Sequence, residues 1–218
     1  MEAEALLPPG ADVVDLGAFH GTAGHYLAAR GHHVDSVEKN QAYIEDGHKI
    51  ARTLGAVALG NRFIHGDMRT WEPQQAYDGA LAIRSLQLVL KDESVEVIKK
   101  MKRIVTPGGL NVIKAYIASP EQQRVKSDRG LFDEEELQEI YSRSGWEIIR
   151  YKTTGIRPLS PWTDTEGNNG TSVSSSAELI AREVQRAGHR QTLLNQVDYY
   201  MRADPEYAEL LREQAEAA

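Results

Sequence analysis

Between Ala11 and Ile117 the chain alternates short, β-branched apolar runs with helix-like segments, and each connection is short. No other feature constrains the fold as tightly. Parallel strands need crossovers, and right-handed crossovers place helices on both faces of an open sheet. Ala11–Leu16 (ADVVDL) reads as a buried strand that runs into Gly17. Thr22 is placed to cap a helix through Ala23, Tyr26, Leu27 and Ala28 that stops at Gly31. His33–Val37 is the second strand. Asn40 caps a second helix with Tyr43, Ile44, Ile50 and Leu54 on its apolar side, ending at Gly55. Arg62–His65 is the third strand. A turn at Tyr77-Asp78-Gly79 leads into a fourth at Ala80–Ile83. Asp92 is placed to cap a helix carrying Val95, Ile98, Met101 and Val105 on one face. Pro107-Gly108-Gly109 breaks that helix ahead of a fifth strand, Leu110–Ile117.

Beyond this region Asp133 begins another helix, with Glu136 spaced for a capping box. Trp146–Tyr151 and Ser172–Ile180 read as two strands that close the sheet as an antiparallel pair. The expected architecture is α/β: a doubly wound, mostly parallel seven-stranded sheet with an antiparallel C-terminal hairpin and helices on both faces. A length of 218 residues suits one such domain. Residues 1–185 are expected to form a Rossmann-type unit and 186–218 a helical extension of it. The amphipathic tail from Thr192 to Ala218, with Leu193, Leu194, Val197, Tyr200 and Met201, is expected to pack on its own domain or, in a homodimer, on a second copy.

Composition removes several function classes. With no cysteine there are no disulfides, no thiolate–zinc sites and no cysteine nucleophile. Lys+Arg is 25 against Asp+Glu 32, a formal net charge of −7, which opposes binding of long nucleic acids. No apolar run reaches the ~18 residues of a membrane span, and MEAEALLPPG lacks the basic and apolar regions of a signal peptide, so a cytoplasmic protein is expected. His32-His33 resembles a metal pair, but neighbours on a strand point to opposite faces, and no H-x-x-x-H helix is present. No metal site is expected.

In a doubly wound sheet the ligand lies at the carboxyl ends of the strands, where strand order reverses. The first strand leads there through Asp15-Leu16-Gly17-Ala18-Phe19-His20-Gly21-Thr22. The second ends at Glu38, twenty-three residues after Asp15, near the spacing of about 20 for an acid that grips ribose hydroxyls. A dinucleotide loop needs G-x-G-x-x-G, yet Phe19 and Thr22 occupy the second and third glycine places, and no Walker loop exists. What remains is D-x-G-x-x-x-G followed by an acid, a pattern for a nucleoside without phosphates.

The stretch VVDLGAFHGTAGHYLAARGHHVDSVEKN resembles the first two motifs of class I S-adenosylmethionine-dependent methyltransferases. Within that class, GHYLAARGHHVDSVEKN, YDGALAIRSLQLVL, MKRIVTPGGLNVI and GLFDEEELQEIYSRSGWEIIRY are most similar to the tellurite-resistance methyltransferase family. The resemblance extends from Ala11 to about Glu183. It implies S-adenosylmethionine as cofactor. Asp15, Gly17, Ala18, Phe19 and Gly21 would lie around its methionine end, and Glu38 and Lys39 at its ribose. Asp67 and the Met68 backbone would meet the adenine, and Arg84, with Ser85 beside it, would face the acceptor. Two departures stand out. Phe19 occupies the middle glycine of the usual D-x-G-x-G-x-G, where a left-handed φ would strain it. Only about ten residues precede the first strand, so the N-terminal helix that often covers the substrate is expected to be absent or very short, and the C-terminal helix to take its place.

Methyl transfer from a sulfonium mainly requires alignment and exclusion of water, so no side chain is assigned as catalytic. His20, His25 and Tyr116 are candidates to orient an acceptor. Trp162, Arg157 and Tyr116 are candidates to line its pocket, beside a rigid turn at Pro158 and Pro161. Cytosine C5 methylation is excluded by the missing cysteine. Ala82-Ile83-Arg84-Ser85-Leu86 does not match the D/N/S-P-P-aromatic motif of amino-methylating DNA enzymes. The expected reaction is methyl transfer to a small molecule or a metalloid oxyanion. The rival readings are a binding or regulatory protein that keeps the fold without methyl transfer, and another reaction that uses the bound sulfonium as an electrostatic aid.

Overall fold

The computed structural model describes residues 2–55, 60–117, 131–142, 145–163 and 169–183. Seven strands form one sheet: β1 Asp12–Leu16, β2 His33–Glu38, β3 Asn61–His65, β4 Tyr77–Ile83, β5 Val105–Ile117, β6 Trp146–Thr163 and β7 Asn169–Glu183, in the order β3-β2-β1-β4-β5-β7-β6. β1 to β5 pair in parallel, whereas β7 runs antiparallel to both β5 and β6. The α/β sheet with its C-terminal hairpin is the one expected. Helices are α1 Thr22–Ala28, α2 Gln41–Leu54, α3 Lys91–Ile104 and α4 Glu134–Ser142.

Alternation along the strands divides the core. Val13, Val34, Leu81, Val112 and Ile180 pack with Leu27 of α1 on one face. Val14, Leu16, Val37 and Ile113 pack with Ile98 and Met101 of α3 and Leu137 and Tyr141 of α4 on the other. A short 3-10 turn, Glu2–Leu6, joins the first cluster through buried Ala3, and Glu4 lies 3.7 Å from Arg30. Because Arg30 follows α1 and precedes β2, this turn sits at the amino ends of the strands, opposite the site.

Local signals succeed where the partner is close in sequence. The Asn40 side chain accepts from Ala42 N at 3.0 Å, and Asp133 Oδ1 accepts from Glu136 N at 2.7 Å. Elsewhere tertiary contacts decide. Gly21, not Thr22, is the residue before α1, in a left-handed conformation. Ile50 and Leu54 of α2 are exposed, because the helix turns Ile44 and Gly47 inward and a Cβ on Gly47 would lie 2.3 Å from the Phe63 ring. α3 starts at Leu90 rather than at Asp92, with Glu93 Oε2 accepting from Leu90 N at 2.9 Å, and Asp92 falls in its first turn. It ends where Val105 turns extended, so Pro107-Gly108-Gly109 lies within β5 at a register shift. Tyr77-Asp78-Gly79 is strand rather than turn, since the Tyr77 ring is buried and its hydroxyl donates to Asp35 Oδ2 at 2.8 Å.

The crossover from β3 to β4, residues 66–76, contains no helix. The expected C-terminal helix, Thr192 to Ala218, lies outside the described residues, as does any dimer contact through it. Among the described residues no helix is long and apolar enough to cross a membrane.

Candidate functional site

Strand order reverses between β1 and β4, which opens a crevice at their carboxyl ends. Three loops meet there. Gly17 (φ 76°) leads off β1, and its N–H donates to Val37 O at 2.9 Å. A Cβ at Gly17 would lie 2.5 Å from Ser85 Cβ and 3.4 Å from Met68 Sδ, so only glycine lets the loops after β1, β3 and β4 close on one another. Ser85, buried, donates from Oγ to Leu16 O at 2.7 Å and ties the ends of β4 and β1 together. The structure thus gathers Asp15, Gly17, Met68 and Ser85. Ala18 is buried beside them, its N–H donating to Val37 O at 3.1 Å. Gly21 (φ 74°) does other work: a Cβ there would lie 2.5 Å from Phe63 Cζ, so it lets α1 approach β3.

Three carboxylates stand near the carboxyl ends of β1, β2 and β3: Asp15 one residue before the end of β1, Glu38 at the end of β2 and Asp67 two residues beyond β3. Asp15 is 2% exposed, and its Oδ1 has no hydrogen-bond partner among the described residues. Burial, and secondly the charge of Glu38, push its carboxyl up to about 7. Glu38 is buried and accepts from Phe19 N at 2.9 Å and from Asn40 N at 2.8 Å, one bond per oxygen. A second acceptor position remains on each oxygen. Asp67 is held by Arg69, whose Nε and Nη2 reach its Oδ1 and Oδ2 at 3.0 and 2.6 Å. These charged hydrogen bonds keep the Asp67 carboxyl down at about 2. Lys39 is exposed, and its carbonyl lies 3.0 Å from His65 Nε2.

Phe19 adopts the left-handed conformation of the glycine it replaces, at φ 55°. Its ring is 48% exposed and lies against His20 and Tyr43, with centroids 3.8 and 4.2 Å away. Arg84 is also left-handed, at φ 56°, with its N–H donating to Lys114 O at 2.7 Å and its side chain exposed. Such strain in a non-glycine residue beside a crevice is a recurrent mark of function.

Not every candidate joins the crevice. His25 is buried between α1 and β3, with Nδ1 3.1 Å from Asn61 Nδ2, and burial pulls its pKa down. His32, just before β2, is buried, and His33, at its start, is exposed. Tyr116 is half-buried on β5. The side chains of Arg157 and Trp162 lie outside the described residues. Sequence reasoning missed Lys100, which is buried and bonded to the loop after β3. Its signal was a lysine in the apolar stripe Val97, Met101, Ile104 of α3. A cavity of about 400 Å³ lies away from the crevice, on the β2–β3 face beside Asp35, Arg62, Trp71 and Tyr77.

The donor and acceptor set has a definite preference. Asp15, Glu38 and Asp67 offer acceptors, one of them an orphaned buried oxygen, to a ligand rich in donors and positive charge. The same carboxylates would repel phosphates. A cationic nucleoside with a free ribose and an exocyclic amine fits these residues.

Over residues 1–170 the chain matches the family described as tellurite resistance protein TehB. Among solved structures it is similar to TehB from Haemophilus influenzae, with 24% identity and a TM-score of 0.66 over 84% of this chain and 60% of that one. It is also similar to magnesium protoporphyrin IX methyltransferase from Synechocystis PCC 6803, determined with bound SAM (17% identity, TM-score 0.61, 80% and 71% covered). A third is the [4+2]-cyclase SpnF (15% identity, TM-score 0.63, 84% and 79% covered). The chain therefore spans 60% of the length of the Haemophilus protein, and these likenesses establish the class I methyltransferase fold. No curated protein matches. With the family match covering 1–170 of 218 residues, the chain belongs to the tellurite resistance protein TehB family.

Proposed function

We propose that the chain binds S-adenosylmethionine in the β1/β4 crevice and transfers its methyl group to a small-molecule or metalloid acceptor in the cytoplasm. The observation that carries this reading is the set of three carboxylates, Asp15, Glu38 and Asp67, around a glycine loop with no phosphate cradle. The family match and the methyltransferase fold support it.

When bound, the cofactor supplies an electrophilic methyl group on a sulfonium. Asp15 faces the cationic methionine end, with Gly17 and Ala18 allowing close backbone approach. Glu38 uses its spare lone pairs for ribose hydroxyls, with Lys39 alongside. Asp67 accepts from the adenine amine, and Met68 presents its backbone beside it. Phe19 lines the outer wall, and Gly21 sets the angle of α1. Arg84, exposed after β4, is an anion contact for an oxyanion acceptor. Such an acceptor is already nucleophilic, so the residues need only align it and exclude water.

Isothermal titration with S-adenosylmethionine or S-adenosylhomocysteine tests the binding half. A methyl-transfer assay over oxyanion and small-molecule acceptors tests the other half. Saturable binding and a methylated product are expected, and no heat at high protein concentration would sink the reading.

A further inference from the structure

The segment after β3 that carries Asp67 and Met68 has no regular structure of its own, and α3 holds it from two directions. Lys100, 4% exposed, donates from Nζ to Met68 O at 3.2 Å, Arg69 O at 3.0 Å and Trp71 O at 2.5 Å. Its charge is met by Glu72 at 3.4 Å. A lysine in an apolar stripe is rarely kept unless every donor is satisfied, and here Met68, Arg69, Trp71 and Glu72 all belong to this one loop. From the first turn of α3, Glu93 Oε1 accepts from Arg69 Nη1 at 2.8 Å while its Oε2 caps Leu90 N. The same guanidinium takes both oxygens of Asp67.

We infer that α3 positions the adenine-recognition loop, through Lys100 on its backbone and through the Glu93–Arg69 bridge on the Asp67 carboxylate. The inference rests on the cofactor reading above. Lys100 and Arg69 are positioning residues: they act through Asp67 and Met68. An ionised, oriented Asp67 accepts from a 6-amino group and repels a 6-oxo group. The grip from α3 therefore decides how sharply the site separates adenine from hypoxanthine. A brace of general stability would affect both bases alike.

The test compares S-adenosylhomocysteine with its deaminated counterpart, S-inosylhomocysteine, by calorimetry on the full chain and on Lys100→Met, with a thermal melt of each. The wild type is expected to prefer the amino form by about tenfold or more, as expected of a site built around one hydrogen-bonding group. In Lys100→Met that preference falls below threefold, and exchange of the amides of residues 66–72 quickens. If Lys100→Met does not fold, Arg69→Gln, an exposed change, reads the same preference and is expected to lower it too. Loss of affinity with the preference intact would overturn the inference, as would no change at all. A wild-type chain that binds neither ligand would instead overturn the cofactor reading, a result distinct from both.

Discussion

Glu38 Oε2 accepts the backbone N–H of Phe19 at 2.9 Å, so the acid that ends β2 also fastens the loop after β1. Its other oxygen takes Asn40 N, at the start of α2. Glu38→Ala is expected to weaken S-adenosylmethionine binding by roughly 1–3 kcal/mol and to lower the melting temperature as well, because two N–H groups lose a charged acceptor. Glu38→Gln should not restore the loop, since its NH₂ group would face one of those donors. Calorimetry and melting on both variants check this. Unchanged affinity in Glu38→Ala would remove the residue from the site.

Asp15 gives the pH dependence its sign. Its folded pKa, about 7, lies above the ordinary 3.8, so the protonated form favours the fold. That contribution is complete below about pH 4 and is lost as pH rises through 7. For this fully buried group the loss is on the order of 4 kcal/mol. Asp15→Asn should flatten the stability profile between pH 5 and pH 8. Binding should run the other way: a cationic ligand favours the charged carboxylate, so S-adenosylmethionine affinity should rise from pH 6 to pH 8 with release of a proton. Titration in two buffers of different ionisation enthalpy measures that proton. A flat binding profile would place the ligand's charge away from Asp15.

Gly17 and Gly21 carry different loads. Each sits at positive φ with a prospective Cβ 2.5 Å from a side chain, Ser85 in one case and Phe63 in the other. Gly17→Ala and Gly21→Ala should each destabilise by about 2–4 kcal/mol, combining backbone strain with overpacking. Phe63→Leu should relieve part of the Gly21→Ala defect and none of the Gly17→Ala defect. Chemical denaturation of the double variants reads this coupling.

The sheet was legible because its signals are local: a β-branched run and a glycine give β1, and Asn40 gives the start of α2. What was not legible depends on distant partners. Tyr77 reads as a turn residue until Asp35, on β2, takes its hydroxyl. Ile50 reads as core until Phe63 draws Gly47 inward. In the site, the acids could be ordered along the chain by strand position, and the resemblance supplied their roles. The fork of Arg69 on Asp67 and the buried Lys100 depend on how α3 packs, which no spacing in the loop reveals.

Phe19 offers the sharpest test of the loop. At φ 55° its backbone is strained by roughly 1–3 kcal/mol. The ring returns about 0.5–1.5 kcal/mol through contact with His20 and Tyr43. Phe19→Gly removes both and adds chain entropy to the unfolded state, about 0.5–1 kcal/mol, so its net effect should stay within about 1 kcal/mol. Phe19→Val loses the ring and keeps the strain, now with a β-branched side chain that tolerates positive φ poorly, and should cost about 2 kcal/mol. The stability order should therefore place glycine above valine, against their hydrophobicity. Denaturant titration settles the order, and a valine variant as stable as the parent would mean that residue 19 is not left-handed and that the loop reaches Glu38 by another path.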